Sequence, residues 1–346
     1  MTKLIFTIMT TFCLAIPASA EELTAPEVPV SGHLHMPQKT DSFADGLWEL
    51  IQKAIHLVLP ELEEAAQVNG RILICAMLFS LISLLTDKME TPAAIAGTVT
   101  IAGAILQETN TLIEYAANTV REICEYGKLL CPVLTTALAA QGGLTSSAAL
   151  YAGTTAVLTF LSTLVSEWMI PLIYYYLVLS IANCALGESL FKKFADSIKN
   201  ILHWLLKTVV ILFTTYMTIT GAVSGTTDIA AIKAAKLTIS TAVPVVGGIL
   251  SDASESVLVS LGTMKNAAGI YGILATLAVF IGPFVKVGVQ YLMLKLTALI
   301  CSLFPGKNIC ELTEHFSASM GLLLAMVGCS CILVLISTVC YLKGLG

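Results

Sequence analysis

Charged side chains are scarce in this 346-residue chain. Asp, Glu, Lys and Arg together make up 12% of its residues, and the formal net charge at pH 7 is −5. A typical soluble domain contains about 25% charged residues. This scarcity argues against an ordinary soluble protein. The chain also lacks a basic tail or a basic, aromatic-interleaved stripe, so there is no reason to expect nucleic-acid binding.

The familiar catalytic and metal-binding motifs are missing as well. The sequence has no P-loop, HExxH or GxSxG pattern, and the SxxK match at residues 189–192 has no companion motif. Its ten cysteines show neither zinc-site spacing nor a disulfide framework. Cys124 and Cys131 could pair if their segment faces the outside, and the sequence leaves this open. We therefore expect no catalytic, cofactor-binding or metal-binding residues, and we do not expect an enzyme.

Apolar residues are abundant, at 56% of the chain, and the mean hydropathy is +0.86. These values predict an all-α, polytopic membrane protein with about seven transmembrane helices plus re-entrant or amphipathic helices. The interrupted apolar stretch 129–165 either crosses the membrane twice or enters and leaves on the same side. The predicted spans are 71–86, 92–106, 168–186, 201–223, 269–285, 287–304 and 319–342.

The N-terminus has the pattern of a secretory signal. Lys3 precedes an apolar run at 4–16, and Ala18-Ser19-Ala20 forms an AxA cleavage site. We therefore divide the chain into a cleaved signal peptide (1–20), an extracytoplasmic linker with an amphipathic helix (21–70) and a polytopic transmembrane domain (71–346).

Two segments have amphipathic helical spacing. In 45–64, an apolar stripe is predicted to lie on the outer membrane surface or against a partner helix. In 108–128, apolar residues share one face and four charged residues lie elsewhere on the helix. The apolar residues of the second segment are Ile113, Ala116, Val120 and Ile123, and the charged ones are Glu114, Arg121, Glu122 and Glu125.

Lysines predict the orientation. If the mature chain starts outside, alternation of the predicted spans places the loop 187–200, with Lys192, Lys193 and Lys199, in the cytoplasm. This agrees with the positive-inside rule. The same alternation places residues 229–257 outside.

The stretch 229–257 combines an apolar centre with helix breakers and with opposite charges on its two flanks. This pattern favours a helix–turn–helix that dips into the bilayer, because broken backbone at membrane depth occurs only inside protein or beside water. An exposed amphipathic hairpin is the alternative. If the stretch folds back about 245–248, lysines and carboxylates of its two arms come close together. The candidate functional residues are Lys233, Lys236, Pro244, Gly247, Gly248, Asp252 and Glu255.

Lys295 is a candidate intramembrane charge, since it lies in the middle of an apolar run. A lysine near the bilayer centre costs about 2.5–3.5 kcal/mol on insertion scales. It can snorkel to an interface, pair with an acid or face a polar cavity.

Three blocks of the sequence resemble one known family, the stage III sporulation protein AE family of endospore-forming bacteria. The most specific block, at 227–272, contains the combination VPVVGG and LSD within TDIAAIKAAKLTISTAVPVVGGILSDASESVLVSLGTMKNAAGIYG. The blocks at 168–183 (WMIPLIYYYLVLSIAN) and 282–300 (GPFVKVGVQYLMLKLTALI) are similar to earlier and later parts of that family. The N-terminal outer region looks short for the family.

This resemblance implies a membrane subunit of a secretion-like channel complex that connects mother cell and forespore and is required for forespore development. It implies a multi-pass location in the cell membrane, specifically the mother-cell-derived outer forespore membrane. The implied partners are ring-forming stage III subunits, a cytoplasmic ATPase and, through the rings, the stage II sporulation protein Q. The resemblance implies no enzymatic activity.

A self-sufficient secondary transporter is the alternative function, because interrupted helices and intramembrane charges are also typical of transporters. No clear internal repeat favours it. Assembly with further copies of this chain, the stoichiometry, ownership of the pore and the transported substrate all stay open.

The cleavage site generates a direct prediction. We expect the mature protein to begin at Glu21, because signal peptidase recognises the small residues at Ala18 and Ala20. N-terminal sequencing of the membrane-extracted protein checks this. A sequence that starts at Met1 would contradict the prediction and reverse the argument for orientation.

Overall fold

The computed structural model describes residues 43–85, 90–140, 144–187, 189–219, 267–303 and 307–344. These residues are helical apart from short turns, which confirms the all-α prediction for this part of the chain. The helices are α1 (Phe43–Leu85), α2 (Glu90–Ala140), α3 (Leu144–Thr163), α4 (Ile170–Leu186), α5 (Ser189–Ile219), α6 (Ala267–Cys301) and α7 (Lys307–Gly344). A π-helical turn, Leu164–Met169, joins α3 to α4.

Four helical stretches within the described residues are long and apolar enough to cross a membrane. The protein is therefore a membrane protein, but the predicted count of about seven spans is not confirmed. Neither are the re-entrant helices. The four stretches are Leu150–Leu186, Leu190–Met217, Gly272–Cys301 and Asn308–Tyr341.

Helix α7 lies at the centre of the bundle. Its segment 321–342 contains no charged residue, and almost every side chain along it is buried. A helix that is apolar all round has no face suited to water, so it is covered either by protein or by lipid. Five helices enclose α7, namely α2, α3, α4, α5 and α6.

Specific contacts set the directions of the helices around α7. Helix α6 runs antiparallel to it, since Cys310 Sγ donates to the carbonyl of Ala298 and the hydroxyl of Ser317 donates to that of Tyr291, each at 3.3 Å. Helix α2 runs parallel to it. Gly127 of α2 lies beside Val334, and the hydroxyl of Thr135 lies 3.3 Å from that of Tyr341. Each residue of α2 along this contact therefore lies beside the residue of α7 about 207 positions later in the sequence.

Glycine allows the closest of these helix contacts. A Cβ atom on Gly127 would lie 2.8 Å from side-chain atoms of both Leu158 and Val334, and a Cβ on Gly153 would collide with the ring of Tyr216. Small residues at helix contacts are typical of membrane bundles, where close packing replaces the hydrophobic effect between helices. Gly187 lies at the end of a helix rather than at a contact between helices. Its φ of 71° ends α4 in the left-handed conformation and turns the chain into α5.

The helices are longer than the sequence predicted. Residues 189–200, predicted as a loop, form the start of α5, and the two spans predicted at 269–285 and 287–304 form the single helix α6. The domain boundary placed at residue 70 falls within α1. Pro60, Pro132 and Pro283 lie inside helices rather than at their ends. Proline removes one backbone hydrogen bond, and packing against neighbouring helices compensates for that loss.

The structure of α2 also decides whether Cys124 and Cys131 can form a disulfide. Both residues lie seven positions apart in α2, and both are buried free thiols. Seven residues of α-helix span about 10 Å, whereas bridged cysteines have Cα atoms no more than about 7 Å apart. The pair cannot be bridged while α2 is intact.

The close approach at Gly127 predicts a packing defect. We expect Gly127→Ala to destabilise the protein by about 1–3 kcal/mol, because the added methyl group must displace buried side chains of α3 and α7. Gly103→Ala in the same helix is the matched control, since nothing lies within 4 Å of its Cβ position. It should be neutral or stabilising by up to about 1 kcal/mol. Thermal denaturation in detergent, followed by size-exclusion chromatography, compares the two. Equal melting temperatures would contradict this packing argument.

Candidate functional site

A polar cluster joins the beginning of α7 to the turn between α4 and α5. Its central residue is Glu311, whose Oε1 atom accepts a hydrogen bond from Lys192 Nζ at 2.7 Å. The side-chain amide of Asn183 donates to the same oxygen at 3.5 Å. These contacts bring residues more than 115 positions apart in sequence to one carboxylate.

His315 extends this cluster into the protein interior. Its Nδ1 atom lies 2.9 Å from the hydroxyl of Tyr176, and the two rings meet edge to face at 5.8 Å between centroids. If the phenol donates this hydrogen bond, the imidazole carries its proton on Nε2. Nε2 is buried without a hydrogen-bond partner and lies 3.9 Å from Glu311 Oε1. The hydroxyl of Ser180, one turn further along α4, donates to the backbone carbonyl of Tyr176 at 2.7 Å.

The cluster therefore brings four ionisable side chains together, namely Tyr176, His315, Glu311 and Lys192. All four belong to helices that are apolar enough to cross a membrane. Ionisable residues in such helices face the interior, pair with one another and are commonly functional. The same contacts fix α4, α5 and α7 at one end of the bundle. We name this group the Glu311 cluster.

A second charged contact lies where α1, α2 and α6 meet. Lys286 Nζ is 3.6 Å from Glu61 and 3.8 Å from Glu64, and it lies 5.9 Å from the centre of the Tyr115 ring. Burial raises the pKa of Tyr115 to about 12, and the charges of Glu61 and Glu122 act in the same direction. The phenol is therefore neutral at physiological pH and presents its ring to the lysine.

A buried amide links α1 to α6 about three turns beyond Lys286 on α6. Asn69 accepts a hydrogen bond from the hydroxyl of Thr297 at 3.0 Å and donates to the carbonyl of Ala65 at 2.8 Å. A satisfied polar pair of this kind holds two helices in register where lipid offers no alternative partner. Sequence reasoning did not find this pair, because neither residue belongs to a recognisable motif.

Metal binding finds no support in the part of the chain that the structure describes. No three His, Cys, Asp or Glu residues there are grouped so that they could hold an ion.

The predicted functional hairpin, 229–257, lies outside the described residues. Lys295 is described and lies exposed on α6. Its role stays a prediction. The residues of the hairpin that remain predictions are Lys233, Lys236, Pro244, Gly247, Gly248, Asp252 and Glu255.

Sequence reasoning missed the Glu311 cluster. Lys192 was assigned to a cytoplasmic loop, and Glu311 lay just before the predicted last span. The only available signal was a charged and imidazole-containing turn, Glu311 to His315, at the beginning of the most apolar segment of the chain. Nothing in the sequence connected that turn to Lys192.

The ion pair at Glu311 predicts charge complementarity. We expect Lys192→Glu or Glu311→Lys alone to destabilise the protein by about 1–2 kcal/mol. The loss should be larger for Glu311→Lys, because Asn183 also loses its acceptor in that variant. The double variant Lys192→Glu/Glu311→Lys should recover part of the loss. Thermal denaturation of the four proteins in detergent checks this. Additive losses in the double variant would show that the pair does not couple α5 to α7.

Comparison with known proteins places these features in a family. The family model for stage III sporulation protein AE matches residues 34–343. A curated relative, stage III sporulation protein AE of Bacillus subtilis (strain 168), is 23% identical over 261 residues. The matched region covers 73% of this chain and 65% of the relative. No solved structure matches. Since the family model spans nearly the whole chain, including every described helix except the last residue of α7, the chain belongs to the stage III sporulation protein AE family.

Proposed function

We propose that this protein is a membrane subunit of a secretion-like channel complex that connects mother cell and forespore and is required for forespore development. The observation that carries the proposal is the family match over residues 34–343, joined to four helices long and apolar enough to cross a membrane. Because the match covers only 65% of the curated relative, the activity of the complete protein is also part of the proposal.

The bundle supports a role in a complex rather than catalysis. Its central helix carries no charge over 321–342, and its polar side chains join helices to one another at the Glu311 cluster, at Lys286 and at Asn69. These pairs hold helices in register. The family is described as a sporulation protein, and no observation favours the alternative of a self-sufficient transporter.

Large apolar side chains on the surface of α1 also support assembly with other molecules. Trp48, Ile55 and Leu59 are each more than 60% exposed, and Ile51 and Leu62 are exposed on the same side. The sequence predicted an apolar stripe here that meets the membrane surface or a partner helix. We propose the bilayer, the ring-forming stage III subunits and the ATPase of the complex as the partners, with stage II sporulation protein Q contacted through the rings.

The location follows from the same proposal. The protein would lie in the mother-cell-derived outer forespore membrane, with residues 229–257 on the intermembrane side. The lysines near the start of α5 would then be cytoplasmic, which agrees with the positive-inside rule.

Deletion of the gene in its native host tests this function. We expect vegetative growth to be normal and sporulation to stop after engulfment, with almost no heat-resistant spores. We also expect an affinity-tagged copy to co-purify with ring subunits and the ATPase. The wild-type gene supplied at a second locus is the control, and it should restore spore formation. Normal spore counts combined with a defect in solute uptake during growth would contradict the proposal and favour a transporter.

A further inference from the structure

The outward face of α6 changes from covered to open along the helix. In the second half of α6 this face is open, as at Leu292 and Leu296, which are 63% and 48% exposed. Leu274 and Ala278 precede them by five helical turns, so all four side chains lie on the same face. Leu274 and Ala278 are each only 1% exposed. The first half of this face is therefore covered, whereas the second half is not.

The described neighbours of α6 lie on its other sides. Gly272 faces α2 and α7, since side chains of both helices lie 3.6 Å from its Cβ position. Successive residues of a helix are about 100° apart, so Leu274 points about 160° away from Gly272. Lys286 and Thr297 contact α1, and Leu274 points about 120–140° away from them. The described helices that pack along α6 are α1, α2 and α7. None of the three accounts for the burial of Leu274.

Residues 220–266 leave and re-enter the bundle at the covered end of α6. They join α5 to α6, which begins at residue 267. The start of α5 lies beside the start of α7, where Lys192 meets Glu311. Near the end of α5, Tyr216 contacts α3 one to two turns from the place where α3 meets Val334 of α7. Helix α5 therefore runs parallel to α7 and ends where α7 ends, which is also where α6 begins.

A second stretch, residues 1–42, also reaches this end, but its composition fits the covered face less well. It precedes α1, which begins at Phe43 and runs parallel to α6. Removal of the predicted signal leaves the linker 21–42, whose three prolines disfavour a helix. In 249–261, by contrast, helical spacing places four apolar residues on one side of the helix. These residues are Leu250, Ala253, Val257 and Leu261.

The length of the returning arm matches the covered part of α6. If the chain turns at 245–248, as the sequence predicts, the arm 249–266 spans at most about 27 Å as a helix. Leu274 and Ala278 lie about 11 and 17 Å from the start of α6, within this reach. Leu292 and Leu296 lie about 38 and 44 Å from it. The arm is long enough to cover the first pair and too short to reach the second.

We infer that residues 249–261 dock as a helix on the outward face of α6, at Leu274, Leu277 and Ala278, and run antiparallel to it. This docking places the apolar side of the arm against α6 and turns Asp252 and Glu255 to the opposite side. The two carboxylates then face away from α6, where the lysines of the other arm can approach them. The inference goes beyond the proposed function and does not depend on it.

Crosslinking between cysteines tests the docking in the full-length protein, in native membranes and in a cysteine-depleted background that still supports sporulation. The test pair is Leu274→Cys with Val257→Cys. In the first control pair, Val259→Cys replaces Val257→Cys, because Val259 lies about 200° around the arm from Val257. In the second, Leu292→Cys replaces Leu274→Cys, because Leu292 lies on the open part of the same face. A bifunctional thiol reagent with a spacer longer than one helical turn, about 5.4 Å, tolerates a small shift in register.

We expect the test pair to crosslink at least about fivefold more than either control pair, because neighbouring thiols meet at a high effective concentration. Mass spectrometry of the digested protein measures the yields. Equal yields with Val257→Cys and Val259→Cys would overturn the docking of the apolar side. Equal yields with Leu274→Cys and Leu292→Cys would overturn its place on α6.

A positive control and two further products complete the experiment. Asn69→Cys with Thr297→Cys should crosslink, since the two native side chains lie 3.0 Å apart. If this control alone reacts, the arm does not lie on α6. Preferential crosslinking of Leu274→Cys to Ser31→Cys would show that the linker covers the face, and a crosslink between two chains would show a second copy there. Either product would overturn the inference. Spore counts of the same strains keep the two proposals apart, because missing crosslinks in a strain that requires the protein for sporulation contradict only the docking.

Discussion

Enclosure of α7 is the constraint on which the rest of the described structure depends. A helix with no charge over 22 residues has no face that belongs in water, and here α2 to α6 surround it on all sides. Within a membrane, lipid would cover such a helix as readily as protein does, so its enclosure depends on close packing and on polar contacts. Gly127 supplies the first by letting α2 approach both α3 and α7. The Glu311 cluster supplies the second by tying the start of α7 to α4 and α5.

Enclosure of α7 also explains the division of the molecular surface. Each surrounding helix gives one face to α7 or its neighbours, and its remaining face must suit the medium outside. On α4, α5 and α6 that face carries large apolar side chains, whereas on α2 it carries Glu114, Asn118, Arg121 and Glu125. The outward faces of the described helices therefore differ in character, with large apolar side chains on α4, α5 and α6 and polar ones on α2.

Much of the fold followed from sequence, but the ends of its helices did not. Apolar content predicted the all-α membrane class, and helical spacing in 108–128 predicted the buried face that contains Ile113 and Val120. Proline and glycine then suggested breaks that the structure bridges, as at Pro283 in α6 and Pro132 in α2. The local cost of a helix breaker can be read from sequence. The neighbouring helices that offset it cannot, because their contacts are formed by residues distant in the chain.

The sequence by itself determined the membrane class, the family and the amphipathic character of α2, because these properties depend on composition, spacing and local motifs. Only the tertiary structure decided that Lys192 meets Glu311, that Tyr176 meets His315 and that Asn69 meets Thr297. It also decided that α2 packs parallel to α7, with Gly127 beside Val334. The physical reason is that each of these relations depends on the direction and register of two packed helices. Register is set by the sum of many contacts along both helices, and no single segment of the sequence contains that sum.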